Sequence, residues 1–306
     1  MLGAGESNTI TSSVTDGVIG GGSTNTLSAT DGVIGGGVNN AVSAQYGVIA
    51  GGTNNTVSGE GAYIAAGGYN TASGEGALVD GGFSNTAAGN FATIPGGYKN
   101  SAAGIYSFAA GVHASAAQNG TFVWSDGSNG DTTLASTRAY QFLARAAGGF
   151  TLWTNAAATV GATLAPGSGT WASASDRNLK TDVARIDDAA VLDKVATLPI
   201  ERWSYKSERG VRHVGPMAQD FYAAFGVGED DKHITSIDED GVALAAIKAL
   251  HAENADAHAA IKALHSENAS LRVQLAALKA SQARHDLLVD RELQRLSAVV
   301  SVSRER

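Results

Sequence analysis

Between residues 17 and 112, apolar and polar positions repeat with a period of 15. One apolar column is Ile19, Ile34, Ile49, Ile64, Val79 and Ile94; a second is Leu27, Val42, Val57, Ala72, Ala87 and Ala102. Asn25, Asn40, Asn55, Asn70, Asn85 and Asn100 form a polar column just ahead of the second. Gly pairs lie between the first apolar column and the Asn column, from Gly21-Gly22 to Gly96-Gly97, and later coils add Gly59, Gly74, Gly89 and Gly104. Fifteen residues are too few for two helices, and each Gly opposes helix by about 1 kcal/mol. Segments such as Gly17-Val18-Ile19 and Thr26-Leu27-Ser28 suit short strands, with Gly and Asn at tight corners that require φ > 0. Each coil is therefore expected to hold two strands and two turns, with the apolar columns as inward ladders. Stacking at about 4.8 Å per coil makes six coils a rod of roughly 29 Å.

Composition divides the chain in two. Up to residue 170 there are eight acidic and three basic residues; from 171 onward there are 21 and 18. Collagen is excluded, because Gly is not at every third position and Pro occurs only four times. Net charge is −8 with no basic stripe, which argues against a nucleic-acid partner. The lack of cysteine removes disulfides, thiolate catalysis and Cys-type zinc sites. No apolar run reaches the ~18–20 residues of a membrane span. The first residues, Met1-Leu2-Gly3-Ala4-Gly5-Glu6, lack the basic and apolar regions of a secretory signal. No cofactor and no metal site are expected.

A roll whose inner columns are often only Ala or Val has a thin core and needs neighbouring surface. The elements Asn70-Thr71-Ala72-Ser73-Gly74 and Asn85-Thr86-Ala87-Ala88-Gly89 resemble the repeats in the heads of YadA-type trimeric autotransporter adhesins. That resemblance implies a left-handed parallel β-roll with three chains side by side. Other readings of the repeat are weaker. Phosphate cradles need a strand before and a helix after. Calcium-binding nonapeptide rolls need Asp in register. An ice-binding array would need an unbroken Thr column, and Thr26, Thr56, Thr71 and Thr86 leave gaps. The Asn column is read as turn residues.

From 113 to 172 the period stops and aromatic residues appear: Phe122, Trp124, Tyr140, Phe142, Phe150, Trp153 and Trp171. Turn signals at Ser125-Asp126-Gly127 and Ala165-Pro166-Gly167-Ser168-Gly169 suggest short strands forming a β-neck. The aromatics are expected to be core and not a carbohydrate platform.

The next segment opens with Ser175-Asp176-Arg177-Asn178-Leu179-Lys180. Leu198-Pro199-Ile200, Trp203-Ser204-Tyr205-Lys206, His213-Val214-Gly215-Pro216-Met217-Ala218-Gln219-Asp220 and Ile237-Asp238 follow. Across about 175–250 this series is similar to the endosialidase-type intramolecular chaperone of phage tail fibres and tailspikes. The resemblance implies a domain that trimerises the fibre and then cuts itself off before the motif serine. It implies Ser175 as nucleophile, Lys180 as its base and Ala174–Ser175 as the scissile bond. The chemistry is self-consistent. A serine hydroxyl needs a positioned base, and lysine can replace histidine if burial keeps it neutral. Taken alone, the motif could also be a helix start with a Ser cap, and Asp176 could serve only the helix dipole. His213 and Gln219 are read as structural or interface residues. Five residues on a regular helix turn through about 500°, leaving Ser175 and Lys180 ~140° apart. Either the backbone between them is irregular, or Lys180 reaches a serine on a neighbouring chain.

A long helix is expected from near Gly241. Ile247, Asn254, Ile261, Asn268 and Leu275 fall at heptad position a; Leu250, Ala257, Leu264, Leu271 and Leu278 fall at d. Ile at a with Leu at d favours two strands, whereas both resemblances imply three, and Ala257 with the Asn layers weakens the two-stranded signal. His285 and Glu292 occupy d beyond 280, where the seam is expected to fray or the helix to turn. The fold class is thus mainly β with an α C-terminus. Its expected parts are a trimeric left-handed parallel β-roll over 1–112, a β-rich neck over 113–174, a small α/β chaperone and auto-peptidase domain over 175–242, and a C-terminal coiled coil over 243–306. The expected function is a homotrimeric fibre or adhesin whose single enzymatic act is self-release of its chaperone. Its partners would be two further copies and a cell-surface receptor or glycan; its location would be a virion tail fibre or a bacterial surface. The alternatives are a polysaccharide-binding or -degrading tailspike module and an oligomerisation protein that does not cleave. No spaced carboxylate pair in the roll supports glycoside chemistry.

Overall fold

The computed structural model, which describes residues 1–304, stacks the coils as a parallel β-solenoid. Among the described residues one sheet has ten strands, from Leu2–Glu6 to Phe142–Arg145. The other has nine, from Thr9–Ile10 to Leu134–Ala135. Successive coils pair in register, Ile19 with Ile34 and Leu27 with Val42. Both apolar columns point inward and are fully buried, and the small residues Ala62, Ala77 and Ala92 join them in a narrow core.

The Asn column is a third buried ladder. Asn55 Nδ2 donates to Gly51 O (3.1 Å) and to Gly67 O in the next coil (3.0 Å). Its Oδ1 accepts from the Asn70 backbone N–H (3.0 Å). The pattern repeats from Asn25 to Asn100 and ends where Ala114 N–H donates to Asn100 Oδ1. A buried amide with its hydrogen bonds made is favourable, and one without them is costly. The carbonyls it satisfies belong to corner glycines such as Gly67, at φ +90°.

Parallel stacking does not end at 112. Phe108 pairs with Phe122, and Phe122 with Phe142, so these coils span 14 and 20 residues. A residue is lost near Gly111, and the 127–133 loop is gained. The inward positions persist as Ala109, Val123 and the partly buried Leu143. The expected neck is thus replaced over 113–145 by further coils. Beyond them, Phe150–Trp153, Gly161–Leu164 and Trp171–Ser173 form an antiparallel sheet. The expectation that the aromatics are core is also corrected: within the chain Tyr140, Phe142, Trp153 and Trp171 are exposed. Strand alternation decides this, because Leu143 takes the inward position and Phe142 the outward one. Phe108, Phe122 and Phe142 stack on that outer surface at 4.6 and 4.7 Å.

Asp126 ties the last coils together. Its carboxylate accepts from the Ala147 backbone N–H (2.6 Å), the Ser128 N–H (3.0 Å) and the Ser128 hydroxyl (2.8 Å), and lies 3.5 Å from Arg145 Nε. These bonds, the one from Ala147 foremost, hold its pKa down at about 2, from 3.8. A depressed carboxyl contributes stability that is present above the unfolded pKa and lost as pH falls through the folded one. Asp126→Asn should therefore lower the melting temperature at pH 7, and the gap from the parent should close between pH 4 and pH 2. Calorimetry showing an unchanged gap at pH 2 would mean that the charge is not what holds this loop.

The chain divides into two compact units, Met1–Lys180 and Thr181–Arg306. In the second, α1 (Asp188–Thr197) starts at Asp187, whose side chain accepts from the Ala189 and Ala190 N–H groups. A hairpin of Glu201–Trp203 and His213–Gly215 follows, then α2 (Ala218–Phe225), closed by Gly226 in the left-handed conformation, then α3 (Ser236–Arg304). Near its start α3 buries Ala245, Ala246 and Ala249, and Lys248 Nζ donates to Asp188 Oδ2 of α1 (2.6 Å). The heptad positions Ile247, Leu250, Ile261, Leu264, Leu271 and Leu278 remain exposed along it. The helix neither frays nor turns at 280; it runs unbroken to Arg304, and the last two residues of the expected 243–306 segment lie outside the described residues. Among the described residues no helix is long and apolar enough to cross a membrane.

Candidate functional site

The expected cleavage motif follows directly from the antiparallel sheet. Ala174 is anchored there, its N–H donating to Gly161 O (3.2 Å). Asp176 then takes an extended conformation (φ −65°, ψ 133°) and caps a 3₁₀ turn, Arg177–Leu179. Its Oδ1 accepts from the Asn178 backbone N–H (2.9 Å) and from Asn178 Nδ2 (3.0 Å). The turn closes with Lys180 N–H donating to Arg177 O (3.2 Å), and Lys180 returns to extended backbone (φ −112°, ψ 142°).

This irregular path brings the pair together. Lys180 Nζ donates to Ser175 Oγ at 2.7 Å, within one chain. A continuous α-helix would have separated them. The helix cap at this motif is Asp176, not Ser175, which leaves the Ser175 hydroxyl free of the backbone for Lys180. Sequence reasoning gave Asp176 only a dipole role and gave Asn178 none. The signal was an Asp two residues before an Asn, the pattern of a side chain closing on the backbone ahead of it. Ala174, Ser175 and Lys180 are all exposed in the single chain.

The other motif residues lie elsewhere. His213 stacks on Trp203 with centroids 4.7 Å apart, and its Nε2 is 3.2 Å from Glu208 Oε2. Trp203, Tyr205, Met217 and Gln219 line an open cleft in the second unit. Among the described residues no group of three or more His, Cys, Asp or Glu is arranged to hold a metal ion.

Residues 175–226 match the family model described as chaperone of endosialidase. The match opens on Ser175 and covers α1, the hairpin and α2. No curated protein shows significant similarity to the chain.

Proposed function

We propose that this chain is a phage tail-fibre-like protein that assembles as a homotrimer and then releases its C-terminal chaperone by cutting Ala174–Ser175. The observation that carries the proposal is the 2.7 Å Lys180 Nζ–Ser175 Oγ contact at the first residue of the chaperone-of-endosialidase match. A parallel β-solenoid ahead of such a segment fits a fibre shaft or head. The finer parts of the reading are a left-handed, YadA-like roll packed three abreast and a three-stranded coiled coil along α3. They rest on the repeat and on the exposed heptad seam.

The chemistry follows from where Ser175 sits. Its own nitrogen is the amine side of the scissile bond. Neutral Lys180 takes the Ser175 Oγ proton, and Oγ attacks the Ala174 carbonyl carbon through a five-membered ring. The ring collapses with loss of the C–N bond, and Lys180 returns its proton to the Ser175 nitrogen. The result is an ester between the Ala174 acyl group and Ser175 Oγ. Water hydrolyses it, leaving an Ala174 carboxylate and a free Ser175 hydroxyl. A lysine base works only when desolvation favours its neutral form, and Lys180 is exposed in the lone chain. Cover from neighbouring chains would supply that desolvation, so cleavage would wait for assembly.

The uncleavable Ser175→Ala chain is expected to sediment as a trimer. A stable monomer or dimer by sedimentation or light scattering would reject the assembly reading.

A further inference from the structure

One corner of the solenoid carries aromatic rings that its turns do not require. Each coil there places a residue at positive φ just before the buried Asn: Thr24, Asn39, Asn54, Tyr69, Ser84 and Lys99, all between 52° and 58°. A bulky ring is strained in this conformation, whereas Asn tolerates it. Tyr69 occupies it nonetheless and is 56% exposed. Its ring lies 5.0 Å from Phe83, which is followed by Tyr98 at 6.1 Å and by His113 at 5.6 Å. Lys99 Nζ sits 5.0 Å over the Tyr98 ring. Lys99 is the only Lys or Arg in residues 1–137, and His113 the only His in residues 1–212. The only Lys and the only His of these coils therefore sit on the aromatic strip.

We propose that Tyr69, Phe83 and Tyr98, with Lys99 and His113 beside them, form a platform for a polysaccharide strand lying along this corner. The rings follow one another coil by coil, Tyr69 tilted 54° to Phe83 and Phe83 stacked at 24° on Tyr98. They give a continuous apolar strip for the C–H patches of successive pyranose rings, while a few placed polar groups fix their hydroxyls or acid groups. Lys99 supplies such a donor. His113 Nε2 lies 3.0 Å from Asp131 Oδ1, which sets an acceptor at the end of the strip. A second copy of the chain suits the strip less well. A contact between rods would run along every coil, as the outer column Val18, Val33, Val48 and Tyr63 does on the adjoining sheet. The aromatic strip is confined to four successive coils; earlier the Phe83–Tyr98 column carries Ser23, Val38, Thr53 and Gly68, and the Tyr69 column carries Thr24, Asn39 and Asn54. The platform presupposes the fibre reading but does not depend on cleavage.

The test uses the full Ser175→Ala chain against neutral polysaccharides (dextran, mannan), uronate-containing ones (alginate, hyaluronate) and a panel of bacterial surface polysaccharides. Tyr69→Asn and Tyr98→Thr install residues that earlier coils already carry at these positions, so the coil geometry is kept. Binding to at least one polysaccharide is expected, weakened ten-fold or more by either substitution, with trimer mass and melting temperature unchanged. Lys99→Asn should weaken uronate binding most. The proposal is overturned if an intact trimer binds none of the panel, or if binding ignores Tyr69→Asn and Tyr98→Thr. It is also overturned if those substitutions dissociate the trimer, which would make the strip a subunit contact. In the first two cases trimer mass and cleavage of the parent chain remain as proposed, so the fibre reading survives separately.

Discussion

Expressed wild-type chain should appear in mass spectrometry as two pieces, residues 1–174 and 175–306, while Ser175→Ala and Lys180→Ala stay whole. Ser175→Ala removes the attacking oxygen altogether. Lys180→Ala removes the base, and general-base catalysis is worth about 10²–10⁴ in rate; on the time scale of expression that leaves little product. The contact at 2.7 Å lies within one chain, and this decides a second experiment. Ser175→Ala and Lys180→Ala chains, tagged differently and co-expressed, should form mixed trimers that do not cut. Cleavage of the Lys180→Ala chain in such trimers would show a lysine acting across subunits and would overturn the single-chain dyad. Whole wild-type chain in verified trimers would overturn self-release itself. Release should also trap the fibre kinetically, because the assembly template departs with the chaperone.

The second large effect is expected at Gly67. Its φ is +90°, and a methyl group added there would lie 2.1 Å from Gly82 O, 2.9 Å from Asn70 Nδ2 and 3.0 Å from Gly82 N. That carbonyl already accepts from Gly68 N–H (3.0 Å) and from Asn70 Nδ2 (3.0 Å). Gly67→Ala thus forces two coils apart at the point where the backbone and Asn ladders meet. A loss of about 4 kcal/mol is expected, at the severe end for one substitution. By the usual scaling that lowers the melting temperature by roughly 8–16 °C. Gly61 is the control. Its φ is +63°, nothing lies within 4 Å of an added Cβ, and equivalent corners carry Asp31, Tyr46 and Phe91. Gly61→Ala should shift melting by about a quarter as much, since only the left-handed backbone conformation is strained. Equal shifts in calorimetry would mean that close packing between coils is not what fixes Gly67.

The coil was legible in the sequence because in-register parallel stacking turns a three-dimensional neighbour into a fixed offset along the chain. Ile34 is buried against Ile19 and Ile49, and all three can be read at a spacing of 15. The same logic located the Asn and Gly columns, though the sequence showed them as turn residues and not as a buried hydrogen-bonded ladder. Once coil length changed, the offset was lost. Val123 and Leu143 still point inward, but coils of 14 and 20 residues hide them from a periodic reading, and the outward Phe122 and Phe142 then pass for core. The identities of Ser175 and Lys180 were legible as a motif. Their meeting was not, because five residues along a helix place two side chains on different faces. The tertiary structure decided it through Asp176, whose carboxylate holds Asn178 in a 3₁₀ turn and lets Lys180 swing back to Ser175. Side-chain types and spacings determine which groups are available; the backbone dihedrals between them determine which groups touch.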